Sequence, residues 1–109
     1  LEKVFVAQRV ASKLYATEAA VDAATVEVME MMAELMQARK DLGLSATVGN
    51  GASAKFAEAV QALATARTAI VEAHSQLDET RLRVGIRTRM GGFIKEDQLP
   101  QQIGLREAV

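Results

Sequence analysis

The sequence contains no cysteine and no tryptophan, and only one proline, one histidine and one tyrosine. The absence of cysteine excludes a disulfide framework and thiolate chemistry, and it suits a reducing compartment. With one His, one Tyr and no acid–base pair in an evident pocket, the set of groups that catalysis needs is missing. No enzymatic activity and no cofactor are therefore expected. Aromatic residues make up 4% of a chain that is 50% hydrophobic, so any core must be aliphatic and rich in alanine. The sole proline, Pro100, lies near the C-terminus and leaves the rest of the chain free to be helical. No apolar run approaches the ~18 residues of a transmembrane helix, and the opening residues, Leu1 to Phe5, lack the apolar core of a signal peptide. A cytoplasmic location is the resulting expectation. The chain opens on Leu rather than Met, which is compatible with a missing upstream segment.

What is present is a long heptad repeat on each side of a glycine-rich stretch, Gly43 to Ser53. Before it, Ala7, Leu14, Val21, Val28, Leu35 and Leu42 recur every seventh residue, with Val10, Thr17, Ala24, Met31 and Ala38 three positions after them. After it, Phe56, Leu63, Ile70, Leu77 and Val84 do the same, with Ala59, Ala66, Ala73 and Thr80 at plus three. A sustained heptad marks a helix packed along one narrow seam. Pairing large residues across the glycine-rich stretch sets Leu35 opposite Leu63 and Val28 opposite Ile70, in a register whose paired numbers add to 98. The fold class expected is all-α, a long antiparallel two-helix hairpin over residues 1–92. Its helices would span 4–42 and 53–90, joined by a loop over 43–52, with a loosely ordered tail over 93–109. Gly43 would cap the first helix, Ser53 would open the second, and Gly91-Gly92 would end it.

One hairpin of this composition buries too little apolar surface to offset the ordering of two long helices. Apolar residues outside the assigned seam, Val26, Met29, Met32, Met36, Val60 and Val71, predict where a second copy packs, giving a homodimeric four-helix bundle. The methionines among them are also suited to a pliable groove for another protein. The first function expected is thus a structural or protein-interaction module whose protein partner is not named by the sequence.

Charge supplies the alternative. The formal net charge is −1, yet residues 14–80 carry −6 while residues 81–95 carry +5, with no acid among them. Arg9, Lys13, Arg81, Arg83, Arg87 and Arg89 would gather at the end of the hairpin far from the loop. Arginine clusters suit phosphate through bidentate hydrogen bonds. An anion-binding module that contacts nucleic acid or an anionic membrane surface is therefore the second expectation.

Other constellations carry less. His74 with Asp78 at plus four is read as an ion pair, because no second histidine exists to complete a metal site. Glu27, Glu30 and Glu34 form a row that is read as a solvated face, with Arg67 approaching Glu30. The glycine-rich stretch lacks the Gly-Lys-Ser/Thr ending of a phosphate loop and is read as a connector. The heptad-and-alanine design is similar to that of small dimeric hairpins that regulate plasmid RNA. That likeness is one of architecture and implies no function.

Overall fold

The computed structural model describes residues 2–86. Among the described residues there are two helices and no strand: α1 over Glu2–Asp41 and α2 over Asn50–Arg83. Threonines within them return their hydroxyls to the carbonyl one turn back, as Thr25 does to Val21 at 2.9 Å, so a β-branched polar residue is held without breaking the helix.

Both helices end in the same way. Gly43 takes φ 64° and Gly85 φ 90°, a left-handed conformation that a side chain would strain. At the first end, the N–H of Leu44 reaches Arg39 O and that of Gly43 reaches Lys40 O, each at 3.0 Å. At the second, the N–H of Ile86 reaches Arg81 O at 3.0 Å and that of Gly85 reaches Leu82 O at 3.1 Å. These paired bonds form Schellman caps, which satisfy carbonyls the helix leaves without partners. In each cap the arginine two residues before the helix's last residue also donates forward, Arg39 to Ala46 O at 3.3 Å and Arg81 to Ile86 O at 2.8 Å. The cap at Gly43 agrees with the sequence reading. The cap at Gly85 ends α2 well before Gly91, and α2 begins at Asn50 rather than Ser53.

The described chain divides into two compact units. One joins the start of α1 to the end of α2 and the residues after it, in its described part residues 2–17 and 71–86; the other is Glu18–Ile70. Within the second, Arg67 Nε donates to Asp22 Oδ1 at 2.7 Å, so the two helix segments run antiparallel about the loop over residues 42–49. Within the first, Lys3 Nζ donates to Val84 O at 3.1 Å. A register adding to 98 would have set Asp22 opposite Gln76 and Lys3 opposite Lys95. The observed pairs are displaced by about ten residues, nearly three turns.

The displacement has a physical cause. The seam column read from sequence is present: residues 7, 14, 21, 28 and 35 are all partly buried, as are 56, 63, 70 and 77. The second column, however, lies at plus four along α1. There, Ala11, Glu18, Thr25, Met32 and Arg39 are buried or half-buried, while of the plus-three set Val10, Thr17, Met31 and Ala38 are exposed and Ala24 is half-buried. In α2, Ala59 and Ala66 at plus three are half-buried as expected, and plus four takes over at His74 and Arg81. In an antiparallel pair each column faces the other column of the partner helix. Ala11, only 2% exposed, lies level with Leu77 in the observed register. Leu42 and Val84, both expected in the seam, fall beyond the helix ends and are exposed.

Candidate functional site

In the unit holding both termini of the described chain, Arg81 is the decisive side chain. It is 6% exposed, its Nε donates to Asp78 Oδ1 at 2.9 Å, and a terminal nitrogen donates to Ile86 O at 2.8 Å. A buried guanidinium persists because a carboxylate and a carbonyl satisfy it. Arg81, expected among the exposed cations, is thus buried and engaged by contacts within the chain. Tyr15 Oη and His74 Nε2 are buried in the same unit, and Asp78 serves Arg81. Beside this arginine lies an apolar groove of about 250 Å³, lined by Val6, Ala7, Val10, Leu77, Val84 and Ile86, with Thr80 and Arg81 at its edge.

Of the other cations expected at this end, Arg9, Lys13 and Arg83 are exposed. Arg87 and Arg89 lie outside the described residues, as does the expected tail over 93–109. The observed register sets Lys13 level with residues near Ser75, well away from Arg83.

In the unit Glu18–Ile70 the acidic residues divide in two. Asp22 binds Arg67, and the hydrogen bond with Asp22, then the charges of Asp22 and Glu18, hold the Arg67 guanidinium above its ordinary pKa. Arg67 thus binds Asp22 rather than the Glu30 expected from the sequence. Asp41 accepts from Gln37 Nε2 at 2.9 Å, and Lys55 pairs with Glu58 at 3.4 Å. Glu27, Glu30 and Glu34 line an open depression of about 600 Å³ with Met31, Ala33 and Gln37. No three acidic or histidine side chains converge as a metal site would require, among the described residues.

The residues expected at a dimer interface also divide. Met32 and Val60 are half-buried in the seam columns, so they belong to the packing within one chain. Val26, Met29, Met36 and Val71 are 51%, 52%, 44% and 49% exposed. Three of these four share one face of α1. Comparison with protein-family models, with curated proteins and with solved structures found no match. No described helix is long and apolar enough to cross a membrane.

The α1 face itself has a pattern that sequence reading missed. Asp22, Val26, Met29, Ala33, Met36 and Lys40 are all exposed and follow one another at intervals of four and three. That is a second heptad stripe. Each member comes one residue after a seam position, which sets it about 100° round the helix. The signal was available in the spacing, but assigning Met31 to the seam and Met32 to the outside obscured it.

Proposed function

We propose that the protein is a non-enzymatic structural and interaction module that acts as a homodimeric four-helix bundle, each chain contributing an antiparallel two-helix hairpin. The observation that carries this reading is the exposure of Val26, Met29 and Met36 on one face of α1. In support, the buried hydrophobic residues among those described are only Ala11 and Ile86, and no large side chain is fully enclosed. A chain with half its residues hydrophobic and so small an internal core is stabilised by covering its apolar faces. A helix in a four-helix bundle touches two neighbours, and the two adjacent stripes of α1 supply two such contacts.

The test is sedimentation of the whole chain beside Met29→Glu with Met36→Glu. The unmutated chain is expected to sediment as a dimer. Two carboxylates placed on the face should abolish dimerisation, because burying an unpaired charge costs several kcal/mol. A folded monomer for the unmutated chain would refute the reading.

The anion-binding alternative draws on Arg9, Lys13 and Arg83, which are exposed in one unit. It is weakened by the loss of Arg81 to internal contacts. Binding to labelled RNA or to anionic vesicles that falls steeply with salt would favour it over the dimer module.

A further inference from the structure

We infer that the occupant of the Asp22–Lys40 stripe is the same stripe of a second copy, laid antiparallel so that α1 packs on α1 of the partner about a twofold axis between Met29 and Ala33. The inference rests on the dimer reading above and adds its face, its direction and its register. The stripe is self-complementary. When it is reversed upon itself, Val26 meets the partner's Met36, Met29 meets the partner's Ala33, and Asp22 meets the partner's Lys40. A twofold interface requires this property, since residue i must suit j while j suits i. It also obeys the layering of antiparallel heptads, where each apolar position faces the alternate position of its partner.

The charged ends of the stripe complement those of a second copy laid antiparallel. The stripe begins on an acid and ends on a base, so reversal sets opposite charges together at both ends. A parallel arrangement would instead stack Asp22 on Asp22 and Lys40 on Lys40. Asp22 lies at the edge of the stripe, where it also accepts from Arg67 Nε at 2.7 Å. The large–small match of Met29 with Ala33 lets the backbones approach at the centre, while Val26 with Met36 fills the layer on either side.

Disulfide trapping provides the test, and the chain has no cysteine to interfere. Chains carrying Val26→Cys are mixed with chains carrying Met36→Cys under mild oxidation. The mixture is expected to give a covalent heterodimer in high yield, whereas each variant alone stays non-covalent. Like positions in the proposed register are ten residues apart, about 15 Å along the helix, well beyond the ~7 Å limit for Cα atoms joined by a disulfide. Efficient self-linking of Val26→Cys alone would overturn the antiparallel register. So would a sample that sediments as a dimer yet yields no mixed disulfide, and in that case the dimer reading itself survives. A monomer in sedimentation defeats both. As an independent measure, Lys40→Glu leaves the apolar layers untouched and is expected to weaken dimerisation about tenfold through its two symmetric contacts. An unchanged dissociation constant would remove the charged ends from the interface.

Discussion

The buried pair of Arg81 and Asp78 offers a sharp test of how α2 is closed. The guanidinium is 6% exposed and is held by Asp78 Oδ1 at 2.9 Å and Ile86 O at 2.8 Å. Asp78→Ala removes the carboxylate and leaves the positive charge buried. Breaking a buried pair in this way costs about 3–5 kcal/mol. Asp78 is itself 36% exposed, and the bond to Ile86 O remains, so the lower end is expected, about 3 kcal/mol. Arg81→Met is the contrasting change. It removes the charge together with its need for partners, fills a similar volume, and leaves Asp78 able to turn to water. The carbonyl of Ile86 loses its donor, which costs about 1 kcal/mol. Asp78→Ala should therefore be the more damaging of the two by about 2 kcal/mol. Urea unfolding followed by circular dichroism, at one fixed protein concentration, reads the difference directly. If Asp78→Ala were no worse than Arg81→Met, the guanidinium would not be desolvated as described, and Arg81 would return to the exposed cations.

Two further outcomes follow from the same geometry. Gly85→Ala is expected to destabilise by about 1–2 kcal/mol, because φ 90° strains any side chain although space exists around the added carbon; an unchanged urea midpoint would contradict this. Arg9→Glu with Arg83→Glu reverses two exposed charges and should leave helicity and sedimentation unchanged, and a collapse of either on circular dichroism or in the ultracentrifuge would show that these cations support the fold.

Large parts of the fold were legible because the signals were redundant. The columns at 7, 14, 21, 28, 35 and at 56, 63, 70, 77 are hydrophobic at almost every step, and their seven-residue period survives any error in the loop. Gly43 was readable because Arg39 and Lys40 precede it and a glycine-rich connector follows it. The second column was not readable from hydropathy. Its true members include Glu18, Arg39, His74 and Arg81, polar residues that an apolar count rejects in favour of Val10 and Met31. Two of them are held by named partners, Arg81 by Asp78 and the carbonyl of Ile86 and Arg39 by the carbonyl of Ala46. Once the column was misplaced, matching large residues with large ones gave a register that antiparallel layering does not use.

The same misplacement explains what was legible of the candidate interface. Val26, Met29 and Met36 were identified because they are apolar and lie off any seam at plus three or plus four. Met32 and Val60 were added because the seam had been drawn one residue too early. Moving the column by that one residue does more than transfer two side chains to the interior. It makes the remaining set a heptad of its own, running from Asp22 to Lys40 beside the first. Adjacent heptads on one helix imply two packing partners, of which the chain itself supplies one, the α2 segment that binds Asp22 through Arg67. The second stripe begins with an acid and ends with a base, so its own reversal complements it at both ends. Thus an arginine buried where a free cation was expected and a methionine turned inward have a common consequence. The basic end loses a ligand for anions, and the middle of α1 gains the symmetry that a dimer needs.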